Sequence, residues 1–267
     1  MRFVLLQNTD IKVSRLSFGT ASLHHLQFSM NRQRLLTSAI EAGFSHFDTS
    51  PYYGYGLAEA ELGKLQKTSG CMEITIATKV GLYAPHETTN GASVICHKML
   101  GRIIPKASRS VVDWSIARAT ISINKSLGRL RRSWVDILFL HEPIISLLKT
   151  DEWLTWLEKL RAEGKIRAWG VAGEPEHLAS FLEHGSPVAK VVQVRDSLEK
   201  GEADLITRYG RKPQFTYGYF RANRTVNQQV PAEQILGMAL KRNDTGSIVV
   251  ATRKRSRVRV LASMAES

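Results

Sequence analysis

Short runs of β-branched, aromatic and aliphatic residues recur along the chain and alternate with longer amphipathic stretches. Short apolar runs are typical of buried strands, whereas apolar residues spaced three and four positions apart indicate helices with one buried face. The pattern predicts eight strands, at residues 15–20, 45–50, 74–80, 135–141, 167–173, 190–196, 214–220 and 247–252.

Between these strands the apolar residues have helical spacing. Two of the helical stretches end at a glycine, Gly43 or Gly164, which is a common residue just past a helix. Asp113 is a candidate N-cap of one helix, and Thr150 or Asp151 of another. The predicted helices span 32–43, 56–66, 113–131, 150–165, 174–185, 197–210, 231–243 and 256–265.

Strands that alternate with helices predict right-handed crossovers and a parallel sheet. Eight such units in a chain of this length favour an α/β fold, a closed (β/α)8 TIM barrel. An open, doubly wound sheet is the alternative. Such sheets commonly carry a G-x-G-x-x-G fingerprint after the first strand, and "GTASLHHL" here has none. The absence argues against a dinucleotide-binding sheet of that type without excluding an open sheet.

Length and composition add limits to this picture. The 267 residues, 43% of them hydrophobic, predict one domain over 1–267. The sequence has no apolar stretch of bilayer-spanning length and no signal peptide, so we expect a cytoplasmic protein without a membrane partner. Cys71 and Cys96 are too far apart for a CxxC site or a disulfide framework, and no metal site is expected.

The formal net charge of +13 raises the question of nucleic-acid binding. The basic residues are dispersed, with denser places at 129–132 and 253–259. Neither zinc-finger spacing nor an RNA-binding aromatic pattern accompanies them. Charge runs are usually solvated faces, so a nucleic-acid partner is not expected.

Four polar residues stand at or just beyond the ends of three consecutive predicted strands: Asp48, Tyr53, Lys79 and His141. Catalytic groups of a barrel lie at this end of the strands. Each residue alone has an ordinary structural explanation, such as a turn cap or a core histidine. Together they form a plausible proton-transfer site, because a buried Lys79 needs a carboxylate partner and Asp48 is the obvious one.

An ammonium near a phenol favours the phenolate, so we expect the pKa of Tyr53 to fall from about 10 toward working pH. Tyr53 then becomes a candidate general acid–base, and His141 can donate a hydrogen bond to a carbonyl oxygen. Since no side chain can deliver hydride, this chemistry implies a nicotinamide cofactor.

At these residues the sequence resembles the aldo/keto reductase superfamily, over essentially the whole chain. The family's catalytic tetrad of Asp, Tyr, Lys and His is matched by Asp48, Tyr53, Lys79 and His141, including the five-residue step from Asp to Tyr. The strongest segments are "AGFSHFDTSPYYGYGLAEAELGK", "IATKVG", "SLGRLRRSWVDILFLHEP" and "LEKLRAEGKIRAWGVAG".

The resemblance also implies cofactor contacts. Gln193 resembles the glutamine that binds the nicotinamide carboxamide, and Tyr217 the aromatic that stacks on its ring, with Tyr219 as a competing assignment. Thr252 and Arg257 are similar to phosphate contacts, and three further cations would assist them, which favours NADP(H) while leaving NAD(H) possible. These three are Arg253, Lys254 and Arg255.

Several positions depart from the family pattern. Ala172 and Gly173 stand where a Ser-Asn pair often holds the carboxamide, Ala251 replaces a lysine, and Leu261 replaces an asparagine. The chain ends soon after its last helix, so we expect the usual C-terminal substrate loop to be absent and the substrate site to be open.

The sequence supports two hypotheses about function, which belong to different classes. The leading hypothesis is an NAD(P)-dependent oxidoreductase that interconverts a carbonyl and an alcohol, with "FDTSPYYG" and Gly173 also resembling the aldose and galactose dehydrogenase branch. The alternative is a non-catalytic nucleotide-binding or regulatory protein on a reductase-like barrel. The sequence identifies neither the substrate, the reaction direction nor the oligomeric state.

Overall fold

Eight parallel strands close into a barrel, and each lies, to within one residue, inside one of the apolar runs that predicted a strand. The structure is a computed structural model that describes residues 1–65, 74–84, 110–222 and 230–266. The described strands are β1 (Phe3–Leu5), β2 (Lys12–Ser14), β3 (Leu16–Gly19), β4 (His46–Asp48), β5 (Thr75–Val80), β6 (Leu82–Tyr83), β7 (Val111–Val112), β8 (Val135–His141), β9 (Ile166–Gly173), β10 (Val191–Arg195), β11 (Phe215–Tyr217) and β12 (Ser247–Val250).

The barrel order is β3-β4-β5-β8-β9-β10-β11-β12, with β12 returning to β3. The prediction of a (β/α)8 barrel is therefore confirmed, and the open-sheet alternative is wrong. The described helices are α1 (Ser29–Glu41), α2 (Leu57–Leu65), α3 (Ile116–Leu130), α4 (Thr150–Ala162), α5 (Pro175–Glu183), α6 (Asp204–Arg208), α7 (Tyr219–Ala222), α8 (Ala232–Arg242) and α9 (Arg255–Met264).

Two apolar layers hold the barrel together. The larger one lies between the strands and the surrounding helices, and the smaller one fills the barrel interior with residues such as Ala77, Phe139 and Phe215. Strands buried on both faces need apolar residues at nearly every position, which explains why the runs in the sequence are continuous rather than alternating.

The hairpin of β1 and β2 contributes Leu6, Ile11 and Val13 to the interior layer. This hairpin, and the smaller one formed by β6 and β7, were not predicted. Their strands are only two or three residues long, too short for periodicity to reveal.

Several predicted helix boundaries need correction. The N-cap of α3 is Ser115, whose side chain accepts the backbone N–H of Arg118, while Asp113 accepts the backbone N–H of Ser115. Thr150 and Asp151 both lie inside α4, and the residue at its N-cap is Lys149. The predicted helix at 197–210 is reduced to Asp204–Arg208.

Cys71, Cys96 and most of the third loop (85–109) lie outside the described residues. Of the helices within the described ranges, none combines the length and the apolarity that crossing a bilayer requires.

Gly63 and Gly128 offer a matched test of how α2 packs on α3. A Cβ on Gly63 would lie 2.1 Å from the carbonyl oxygen of Arg129, whereas a Cβ on Gly128 meets nothing within 4 Å. We expect Gly63→Ala to lower the free energy of unfolding by about 2 kcal/mol through overpacking. Gly128→Ala should raise it by up to about 1 kcal/mol, because alanine is the better helix former. Urea denaturation of both variants measures the difference, and equal effects would contradict this packing.

Candidate active site

The carboxyl ends of neighbouring strands bring the four predicted residues to one cavity. Asp48 ends β4, His141 ends β8, and Lys79 lies one residue before the end of β5. Tyr53 begins a short 3-10 helix beyond β4. All four line a cavity of about 470 Å³ at this end of the barrel.

A buried ion pair forms the floor of the site. Lys79 Nζ donates to Asp48 Oδ1 at 2.5 Å and to the carbonyl oxygen of Thr49 at 3.0 Å. Both side chains are almost fully buried. Burial lowers the pKa of the Lys79 ammonium from its ordinary 10.5, while the Asp48 carboxylate opposes that change. Each charge compensates the other, because an unpaired charge in this buried position would cost several kcal/mol of free energy.

Gln193 joins the same carboxylate from the opposite side of the cavity. Its Nε2 donates to Asp48 Oδ1 at 2.9 Å. The bond fixes the orientation of the amide, and the Oε1 atom, which accepts no hydrogen bond from the described residues, can accept one from a ligand.

A left-handed turn places Tyr53 over the ion pair. Gly54 and Tyr55 both have positive φ angles, 60° and 59°. The conformation is unfavourable for Tyr55, whose side chain is buried against Leu57 and Ala84. This packing holds the turn, and Lys79 Nζ lies 4.9 Å from the centroid of the Tyr53 ring.

The expected acidification of Tyr53 is wrong. Burial raises the pKa of the Tyr53 phenol well above its ordinary 10, and the Asp48 carboxylate adds to the rise. The ammonium of Lys79 donates to Asp48 and Thr49 rather than to the phenol, so its charge is largely neutralised. Tyr53 is therefore a neutral phenol that holds its proton at working pH.

His141 is a neutral neighbour of this phenol. The two rings meet edge to face with their centroids 6.0 Å apart. Burial, assisted by the Lys79 ammonium, holds the pKa of His141 well below its ordinary 6.5. Its Nδ1 atom is buried and has no hydrogen-bond partner among the described residues.

The candidate cofactor residues separate into two groups. Gln193 and Tyr217 line the cavity, whereas the competing Tyr219 points its hydroxyl to Asp196 Oδ2 at 2.7 Å and does not line it. Thr252 and Arg253 lie beyond the cavity wall, just before α9, and Arg257 lies in the first turn of that helix.

Sequence reasoning missed two carboxylates in the cavity wall, Glu142 and Glu174. Glu142 directly follows His141 at the end of β8, so its place in the chain was the available signal. Its φ of 53°, which directs the side chain, has no signature in the sequence. Gly19 and Gly218 also line the cavity without having been predicted.

Comparison with known proteins identifies relatives. Residues 15–206 match the model of the aldo/keto reductase family. The chain is 30% identical to the L-galactose dehydrogenase of Arabidopsis thaliana over 211 residues, which are 76% of this chain and 54% of that protein. It is 29% identical to a D-threo-aldose 1-dehydrogenase of a Pseudomonas species over 168 residues, 60% of this chain and 50% of that protein. The chain thus spans about half the length of these relatives.

Solved structures show the same barrel. An aldo-keto reductase from Bacillus halodurans, in its holo form, matches with a TM-score of 0.76 at 22% identity. The match covers 100% of this chain and 91% of that one. At this identity the likeness is one of fold.

The buried ion pair makes a stability prediction. Asp48→Asn leaves the Lys79 ammonium without a counter-charge, so we expect a loss of about 3–5 kcal/mol in the free energy of unfolding. The double variant Asp48→Asn/Lys79→Met removes both charges and should recover most of that loss. Chemical denaturation of Asp48→Asn, Lys79→Met and the double variant gives the coupling energy. Additive effects would show that the two charges do not depend on each other.

Proposed function

The chain belongs to the aldo/keto reductase family, and from that membership we propose that it is an NAD(P)-dependent oxidoreductase that interconverts a carbonyl compound and an alcohol. The single observation that carries the proposal is the convergence of Tyr53, His141 and the Lys79–Asp48 pair on one cavity. We propose Tyr53 as the general acid–base and the other three as the groups that position and polarise it.

The side chains around the cavity suit a nicotinamide. Gln193 Oε1 accepts no hydrogen bond from the part of the chain that the structure describes and could accept one from a carboxamide N–H, and Tyr217 lines the same cavity. Three small residues, Gly19, Ala21 and Gly218, also line the cavity and carry no side chain beyond a Cβ that would fill it. When bound there, the cofactor supplies hydride to the carbonyl carbon.

Tyr53 and His141 would act on the carbonyl oxygen. A neutral imidazole can donate a hydrogen bond that orients the carbonyl, and a neutral phenol can donate its proton as negative charge develops on the oxygen. The Lys79 ammonium, whose Nζ lies 4.9 Å from the centroid of the Tyr53 ring, would position the phenol through a cation–π contact. In the reverse direction the Tyr53 phenolate would accept the proton of an alcohol.

We propose Thr252, Arg253 and Arg257 as contacts of the cofactor phosphates, assisted by Lys254 and Arg255. All four cations are exposed, and α9 has no acidic residue in its first turn. Anions are favoured near the N-terminus of a helix and beside clustered cations. This arrangement favours NADP(H), although Ala251 stands where the family often has a lysine.

For the substrate we propose a small aldehyde, ketone or aldose. The named activities of the two sugar dehydrogenase relatives support an aldose or its lactone as one candidate. A non-catalytic, nucleotide-binding protein remains the second candidate, because Ala172 and Gly173 replace a pair that often holds the carboxamide in this family. Nucleotide binding without turnover would favour that second function.

Replacing the phenol tests the assignment of roles. Tyr53→Phe removes one hydroxyl, and we expect the turnover of 4-nitrobenzaldehyde with NADPH to fall by about 100-fold or more. The dissociation constant of NADPH should stay within a few-fold, since Tyr53 is not assigned to the cofactor. Tyr55→Phe, in the same turn, is the matched control and should retain turnover. Equal rates for the wild type and Tyr53→Phe would refute the proposed role.

The raised pKa of Tyr53 predicts how each direction depends on pH. The protonated acid that reduction needs is present at every pH below the raised pKa, so kcat for reduction should be nearly flat between about pH 6 and pH 9. The phenolate that oxidation needs becomes more abundant as pH rises, so kcat for oxidation should increase over the same interval. A reductive profile that declines near neutral pH in the wild type, but not in Tyr53→Phe, would indicate an acidified tyrosine instead.

A further inference from the structure

The Glu142 side chain occupies the end of β9, where Ala172 and Gly173 stand. The backbone N–H of Glu142 donates to the carbonyl oxygen of Ala172 at 2.7 Å. A Cβ on Gly173 would lie 2.4 Å from Glu142 Oε2, so only a residue without a side chain leaves room for this carboxylate. A carboxylate has therefore filled the space that a larger side chain on β9 would take.

Two hydrogen bonds fix the carboxylate in this place, although Glu142 has a left-handed backbone conformation. The backbone N–H of Glu174 donates to Oε2 at 3.0 Å, and His177 Nδ1 lies 2.8 Å from the same oxygen. Within the described part of the chain both contacts fall on Oε2, and Oε1 receives none. Glu142 lines the cavity beside Tyr53 and Tyr217.

The other charges of the cavity wall are paired. Asp48 is neutralised by Lys79 at 2.5 Å, and Glu174 accepts from Arg195 Nη1 at 3.1 Å. No lysine or arginine of the described ranges forms an ion pair with Glu142, whose carboxylate pairs only with His177. Burial is the main cause of the raised pKa of both Tyr53 and Tyr217, and the Glu142 carboxylate adds to both rises, while Glu174 adds to that of Tyr217.

We propose that the Glu142 carboxylate sets the redox preference of the cofactor site by stabilising the positively charged, oxidised nicotinamide over the neutral, reduced one. The inference rests on the proposed function, because it requires a nicotinamide in this cavity. An unpaired charge that faces a ligand in a partly desolvated cavity changes an equilibrium by about tenfold.

The same charge affects the direction of the reaction. In reduction, the bound cofactor would supply hydride to the carbonyl carbon and become its positively charged oxidised form, while Tyr53 would give its proton to the carbonyl oxygen. A carboxylate held in the wall of the same cavity would favour that positive charge. Together with a phenol that retains its proton, Glu142 biases the site toward reducing carbonyl compounds.

Binding measurements test the proposal without turnover. We expect wild-type protein to bind NADP⁺ and NADPH, measured by calorimetry or protein fluorescence. Glu142→Gln should weaken NADP⁺ by about tenfold and change NADPH by less than about threefold. Glu174→Gln is the matched control, since its carboxylate lines the same cavity but is paired with Arg195. It should change the ratio of the two dissociation constants clearly less than Glu142→Gln does. Gly173→Ala displaces the Glu142 carboxylate and should reproduce the effect of Glu142→Gln.

The outcomes separate this inference from the proposed function. An unchanged ratio of NADP⁺ to NADPH affinity in Glu142→Gln, with both forms still bound, overturns the role of Glu142 and leaves the proposed function standing. Failure of the folded wild-type protein to bind either form overturns both. An equal shift in Glu174→Gln would show that the effect belongs to the cavity's total charge and would also overturn the specific assignment.

Discussion

The ion pair between Lys79 and Asp48 is the interaction on which the site depends. A lysine at the mouth of a barrel, almost fully buried, is tolerable only beside a counter-charge. The Asp48 oxygen that accepts from Lys79 also accepts from Gln193, so the position of Asp48 fixes the positions of both side chains. One carboxylate thus ties together three strands of the barrel, β4, β5 and β10. These hydrogen bonds hold the side chains at the base of the cavity in fixed positions.

The pairing of the Lys79 ammonium with Asp48 also affects the protonation state of the Tyr53 phenol. A free ammonium would lower the pKa of Tyr53, but a neutralised one leaves burial as the dominant influence, and burial raises that pKa. In the proposed reaction the phenol would keep its proton until the oxygen of the substrate beside it gains negative charge. His141, kept neutral by its own burial, is suited to a hydrogen bond with that oxygen rather than to carrying charge.

The barrel could be predicted from the sequence because strands buried on both faces must be apolar throughout, and all eight such runs form strands of the barrel. The four convergent residues could be predicted as well, because the carboxyl ends of parallel strands meet at one end of a barrel. The pKa of Tyr53 could not be predicted, because it depends on which atoms Lys79 Nζ contacts. The orientation of the Glu142 side chain could not be predicted either, because it follows from a positive φ and from the space beside Gly173.

The transfer of hydride itself is the most direct test of the account. NADPH carrying deuterium at the transferable position of the nicotinamide would be incubated with 4-nitrobenzaldehyde and the protein, and the alcohol analysed by mass spectrometry and NMR. The account predicts deuterium on the former carbonyl carbon and an exchangeable, solvent-derived proton on the oxygen. Formation of no alcohol by protein that binds NADPH, or an alcohol whose carbon carries hydrogen from solvent, would contradict it.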